Sequence, residues 1–273
     1  MSTSTPADID ALKNRIRATW MAGDFGVIAR QVQETNEEIV ARLNLASGTR
    51  VLDVACGTGN SAIPAARQGA DVTGVDIAPN LLEQARARAQ EAQVPARFQE
   101  GDAEDLAFPD ASFDVVISIF GAMFAPRPER VASEFKRVCR AGGRIVMGNW
   151  TPDSFAAASF KLSAKYVPPA PGMKPPVLWG DEATVRERFH EGIARLDLQK
   201  RTAIMRLPFG VPETFDHYRR YFGPTIRTLE ALDVEGQKEF QRDFEALLAA
   251  HNRATDGTTR LESEFLEVVA TRA

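Results

Sequence analysis

RVLDVACGTGNSAIPAA, residues 50 to 66, decides how the rest of the chain is read. A mostly apolar run from Val51 to Ala55 gives way to a turn at Gly57 and Gly59, and a helix of small residues follows. Strand, glycine turn and helix in that order bring backbone N–H groups close to a nucleotide-like ligand, because glycine has no Cβ to hold the ligand away. The rhythm continues outward. DVTGVDI (71–77), ARFQEGDA (96–103), FDVVISIF (113–120) and GRIVMGNW (143–150) read as further strands. PNLLEQARARAQEA and RVASEFKRVCR read as helices between them; in the second, Val131, Phe135 and Val138 share a face, Cys139 falls within the helix, and AGGR (141–144) stops it. Such alternation predicts an α/β fold, a Rossmann-like three-layer sandwich around a mostly parallel sheet.

The flanks follow other rhythms. Residues 7–46 read as helical and are expected to form an N-terminal cap (1–46), broken by GDFG at 23–26. Residues 47–273 form the main domain. After Trp150 a helix over 152–166 precedes YVPPAPGMKPPVLWGD (166–181), whose five prolines in sixteen residues predict a stiff extended loop. RLDLQKRTAIMRL (195–207) and FLEVVATRA (265–273) read as the last two strands, with a helical insertion over about 208–258 between them.

Composition narrows the function classes. The 273 residues are 44% hydrophobic and 26% charged, enough to bury a sizeable core. Net charge is −4 with no block of Lys or Arg, which disfavours a nucleic-acid partner. No apolar run approaches the ~20 residues of a membrane span, and MSTSTPADID lacks a signal peptide's basic and apolar regions, so a cytoplasmic location is expected. Cys56 and Cys139 form no C-x-x-C pair and the three histidines make no zinc spacing. They read as two reduced thiols filling small spaces, with no structural metal.

Gly57, Gly59 and Ala62 satisfy G-x-G-x-x-A, and Asp76 ends the second strand where a dinucleotide fold places its ribose-binding acid. The same two features serve S-adenosylmethionine. Asp53, inside the first strand, separates the two: a carboxylate there repels a pyrophosphate but suits a cationic amino group and sulfonium. It could instead cap a neighbouring turn, as Asp76 could serve a helix start. Asp102 could accept an adenine's exocyclic amine, with the Ala103 N–H beside the ring, or form an ordinary Asx turn. Three acids at the ends of successive strands would line one crevice.

VLDVACGTGN, VTGVDIAPNLLEQA, EGDAEDLAFPDASFDVVIS and RVCRAGGRI together resemble the class I S-adenosylmethionine-dependent methyltransferases, nearest to the quinone-biosynthesis-type (type 11) small-molecule enzymes. The resemblance implies a seven-stranded sheet with an antiparallel last strand. It implies that Asp53, Ala55, Gly57, Thr58, Gly59 and Asn60 hold the methionine end of the cofactor. Asp76 and Ile77 would hold the ribose, Asp102 and Ala103 the adenine, and Ser118 and Phe120 would complete the site. Ala55 stands where a glycine is most common in the family, and Met123 and Phe124 stand where many relatives carry a histidine.

The implied reaction is in-line methyl transfer from S-adenosyl-L-methionine to a small organic acceptor, releasing S-adenosyl-L-homocysteine. The accepting atom stays open, as does the oligomeric state. Candidate bases are His217 and Tyr221, four apart on one helix face, and Tyr166; His190 and His251 read as surface residues. Trp20, Phe25, Met123, Phe124, Trp150, Met173, Trp179 and Tyr221 are expected to form an apolar, partly aromatic acceptor site under a lid of the cap and the proline loop. Each aromatic fits a core equally well. A nicotinamide-dependent oxidoreductase and a non-catalytic S-adenosylmethionine sensor remain the alternatives.

Overall fold

Val51, Leu52 and Val54 are all buried, as residues on both faces of a central parallel strand must be. The computed structural model describes residues 6–170 and 173–273. Around that strand, β1 (Arg50–Val54), stand β2 (Asp71–Asp76), β3 (Ala96–Glu100), β4 (Phe113–Ile119), β5 (Cys139–Trp150), β6 (Ile193–Leu207) and β7 (Thr259–Arg272). They form one seven-stranded sheet in the order β3-β2-β1-β4-β5-β7-β6. The first five strands pair in parallel, and β7 runs antiparallel to both β5 and β6. The chain leaves β1 towards β2 on one side and returns to β4 on the other, so a crevice opens beyond their carboxyl ends.

Helices α1 (Pro6–Trp20), α2 (Phe25–Ala29) and α3 (Gln33–Arg42) precede the sheet. The crossovers α4 (Ala62–Arg67), α5 (Pro79–Glu91) and α6 (Pro128–Val138) connect its parallel strands. After β5 come α7 (Phe155–Tyr166) and α8 (Glu182–Arg188), and α9 (Val211–Tyr221), α10 (Gly223–Glu230) and α11 (Val234–His251) fill the connection between β6 and β7. Local chemistry marks the helix starts. Pro79 begins α5, and the Asp24, Ser154, Asp181 and Asp233 side chains accept backbone N–H groups at the starts of α2, α7, α8 and α11.

Two cores divide the molecule. The larger fills both faces of the sheet, and a smaller one unites Phe155, Met205, Phe215, Tyr218, Phe240, Phe244, Leu248 and Leu261. β5 ends opposite Phe265, so the distal half of the β6–β7 hairpin projects past the sheet and the insertion folds onto it. The insertion therefore has its own aromatic core.

One boundary differs from the sequence pattern. Helix α6 stops at Val138, and Cys139 opens β5 opposite Phe113 rather than continuing the helix. Its N–H still bonds the Phe135 carbonyl, but its ψ of 129° turns the chain into extended geometry. The ladder then shifts and resumes with Arg144 opposite Val115, with Gly142 at φ +69° in the excursion between. AGGR thus bulges a strand instead of ending a helix. Both cysteines are free and buried.

Candidate functional site

A cleft partly open to solvent lies over the carboxyl ends of β1, β2 and β4. Its floor holds Asp53, Ala55, Gly57, Thr58, Asn60, Asp76, Ile77, Asp102, Ala103 and Phe120, ten of the residues singled out in the sequence. Gly59 and Ser118 do not line it. Gly59 turns behind the loop, its N–H bonded to the Cys56 carbonyl at 2.9 Å. The Ser118 hydroxyl donates to the Val54 carbonyl and accepts from the Ala122 N–H, pinning β4 to β1 from below.

Asp53 is 2% exposed, and its Oδ2 has no hydrogen-bond partner among the described residues. Burial pushes its carboxyl up to about 8; the Ala62 backbone N–H pulls the other way, and the nearby Asp76 carboxylate adds to the rise. A buried carboxylate with an orphaned oxygen is costly unless a cation completes it. Asp76 is nearly as buried but satisfied: the Gly57 and Ala78 N–H groups donate to its two oxygens at 2.8 Å each. Burial raises Asp76 as well, and those two N–H groups oppose the rise.

The turn is tightly built. Ala55 takes φ +54° and Phe120 φ +58°, both in the left-handed region that costs an L-residue roughly 1–2 kcal/mol. Gly121 is what lets these segments meet, since a Cβ there would stand 2.4 Å from the Ala55 carbonyl oxygen. Phe120 is held by stacking on Trp150, with centroids 3.8 Å apart and planes 3° from parallel. Strained backbone held by surrounding packing concentrates at functional sites.

Asp102 lies just past β3, and it is not bare. Its Oδ1 accepts the Glu104 N–H, and its Oδ2 is bonded by Lys13 of α1. Lys13 also reaches the fully buried Glu104 at 2.8 Å, which Arg127 holds from the other side at 2.7 Å. Burial would lower the Lys13 pKa, but its hydrogen bonds to Asp102 and Glu104 outweigh that and raise it. Lysine 13 was not among the sequence candidates. Its only signal was its i,i+4 spacing to Arg17, which pairs with Glu100 at 3.0 Å. Lys13→Met is expected to loosen α1 from the cleft by about 1 kcal/mol. Limited proteolysis should then cut within residues 6–20 faster than in the parent; an unchanged cleavage rate would remove Lys13 as the latch.

The roof is aromatic. Trp20 meets Phe25 at 5.1 Å and Phe124 at 4.9 Å between centroids, and all three line the cleft with Ile16, Val32 and Pro126. Phe222 of the insertion backs Trp20 and Phe25 at 6.3 Å without lining the cleft. The other expected acceptor residues lie elsewhere. Met123 is buried in the main core, and Trp150 supports Phe120 from behind. Trp179 is 1% exposed beneath the Arg188 guanidinium. The described part of the proline loop, Met173 included, contributes nothing to the lining, because its 3₁₀ turn packs Trp179 into the main core; Pro171 and Gly172 lie outside the described residues.

None of the candidate bases faces the cleft. His217 and Tyr221 do sit together on α9, 5.1 Å between ring centroids, with Phe209 beside His217. Burial and the Arg30 charge lower the His217 pKa. Tyr166 donates to Asp243 at 2.8 Å against Phe240. His190 is exposed, and His251 packs on Phe155. Among the described residues no histidine or tyrosine lines the cleft.

Comparisons with known proteins point the same way. Residues 52–147 match the methyltransferase domain family. An uncharacterized protein of Mycobacterium tuberculosis is 34% identical over 273 residues, 99% of each chain. A phosphatidylethanolamine N-methyltransferase of Cereibacter sphaeroides is 37% identical over 144 residues, 52% of this chain and 69% of that one. Among solved structures, a Haemonchus contortus phosphoethanolamine N-methyltransferase in complex with phosphomonomethylethanolamine and S-adenosylhomocysteine superposes with a TM-score of 0.55 at 18% identity, covering 88% of this chain and 53% of the other.

Proposed function

This chain belongs to the S-adenosylmethionine-dependent methyltransferases, and we propose that it methylates a small, apolar or aromatic organic acceptor held under Trp20, Phe25 and Phe124. The carrying observation is the cleft itself: an acidic floor under an apolar aromatic roof. Family membership supersedes the dinucleotide alternative, and nothing favours the non-catalytic one.

The residues present fit the cofactor. Asp53 supplies an orphaned, buried carboxylate oxygen, the partner a cationic amino group needs. Asp76 has lone pairs to spare for ribose hydroxyls, while its bonds to Gly57 and Ala78 hold the turn. Asp102 and Ala103 suit the adenine edge, and Ile77, Phe120 and Leu81 offer apolar walls. When bound, S-adenosylmethionine supplies a methyl group on positively charged sulfur.

The protein's own contribution is then alignment and exclusion of water. Asn36 and Ser61, the polar pair lining the cleft near Val32, already bond each other at 2.8 Å. That leaves the acceptor end apolar, which favours a molecule needing little hydrogen bonding. No described helix is long and apolar enough to cross a membrane. The absence of a basic block supports a small acceptor over a nucleic acid.

An acceptor screen over phenols, quinols, thiols and amines, reading S-adenosylhomocysteine release, tests the proposal. Turnover is expected with a hydrophobic acceptor. Trp20→Ala should raise that acceptor's KM roughly ten-fold, the scale of one lost aromatic contact, with cofactor affinity moved far less. Turnover confined to polynucleotides or to highly charged acceptors would refute the assignment.

A further inference from the structure

Arg88 stands out on α5. Its Nη1 donates to the Thr58 carbonyl at 2.8 Å, the Thr58 hydroxyl at 2.9 Å and the Asn60 amide oxygen at 2.7 Å. Its Nη2 donates to the Gln33 amide oxygen at 3.1 Å, at the start of α3. Asn60 in turn donates to the Ala29 carbonyl at 2.8 Å, at the end of α2. One half-buried guanidinium therefore joins α5, the glycine turn and the N-terminal cap, and Thr58, Asn60 and Ala29 all line the cleft.

The choice of partners is unusual. Arg88 makes no direct ion pair among the described residues and spends its donors on neutral oxygens, with the Glu37 and Glu91 carboxylates acting on it only through space. Burial lowers its pKa and the Arg30 charge adds to that, while the Glu37 and Glu91 carboxylates pull the other way. An apolar side chain of similar length would avoid the desolvation cost but would leave the Thr58 carbonyl and the Asn60 amide oxygen without this donor. A planar fork does what an apolar chain cannot: it fixes the direction of the Thr58 carbonyl and hence of the whole turn.

We propose that Arg88 is a positioning residue for cofactor binding, clamping the Thr58–Asn60 segment of the glycine turn to the cap so that the turn is preformed before the cofactor arrives. This rests on the methyltransferase reading above. Preorganisation of that kind shows as affinity, because a mobile turn must be ordered at the moment of binding.

Titration calorimetry with S-adenosylhomocysteine on the full chain, in the parent, Arg88→Met and Arg88→Lys, tests it. Met keeps the stem, and the acceptors it leaves at the buried Thr58 and Asn60 are neutral rather than charged, so folding should survive at reduced stability. Arg88→Met is expected to bind about ten-fold more weakly, and Arg88→Lys, which can still reach the Thr58 carbonyl, within about three-fold of the parent. Amide exchange in the cofactor-free proteins reads the clamp independently: residues 57–60 should exchange faster in Arg88→Met, with β4 unchanged. A folded Arg88→Met with parental affinity overturns the proposal, as does slow exchange at the turn. If Arg88→Met does not fold, Arg88→Gln carries the comparison, and failure of both to fold marks a structural arginine and also overturns it. A parent chain that binds no S-adenosylhomocysteine sinks the methyltransferase reading instead, while the exchange arm still reports on the clamp.

Discussion

Asp53→Asn is expected to weaken S-adenosylmethionine binding at least about 100-fold, roughly 2.7 kcal/mol, while making the cofactor-free protein more stable. Both effects come from one buried oxygen. Asp53 is 2% exposed, its Oδ2 has no partner among the described residues, and burial holds its carboxyl near 8. Its folded value lies above its unfolded one, so the stability it contributes is full below about pH 4. That stability is lost as pH rises through about 8. Asn carries no charge to bury, so the variant's stability should depend less on pH over that window, and its melting temperature should exceed the parent's at neutral pH. Binding reverses the balance. An ammonium placed against Asp53 favours the carboxylate, so complex formation near pH 7 should release a proton and tighten as pH rises towards 8. Calorimetry in two buffers of different ionisation enthalpy measures that proton. An Asp53→Asn protein that binds as tightly as the parent, with the same proton release, would show that the cofactor's cation lies elsewhere.

Asp76→Ala is expected to lose ten-fold or more in cofactor affinity, about 1.4 kcal/mol or greater, and, unlike Asp53→Asn, to lose stability as well. Its two oxygens accept the Gly57 and Ala78 N–H groups at 2.8 Å, at the turn and just before α5. Removing the carboxylate strands two donors at a nearly closed site, at roughly 1–3 kcal/mol for each left unsatisfied. Urea denaturation should register that loss with the slope unchanged. The two aspartates therefore separate by sign: one variant gains stability and the other loses it, while both lose the cofactor. Parental affinity in Asp76→Ala would contradict its role at the ribose.

The alternation of strands and helices from Arg50 to Trp150, and the acids at the strand ends, could be read from the chain because each is a local pattern. A strand–turn–helix unit needs only its own apolar period and its glycines, so Asp53, Gly57, Asp76 and Asp102 fall near the crevice wherever the fold forms. The boundary at Cys139 escaped because an apolar period cannot distinguish one more helical residue from a strand that starts there. The roof was legible only in part, for a different reason. Trp20, Phe25, Phe124, Trp150 and Trp179 are equally aromatic in sequence, yet the first three line the cleft, the fourth stands behind Phe120, and the last is buried under Arg188. The partners of Lys13 and Arg88 are likewise distant: Asp102 lies 89 residues from Lys13, and Thr58 lies 30 from Arg88. The sequence by itself determined the sheet, the glycine turn and the acidic floor, since those depend on near neighbours. Only the tertiary structure decided which aromatic faces the ligand and which cation meets which acid, because those pairings form when separate helices pack, and packing depends on the shapes of surfaces far apart in the chain.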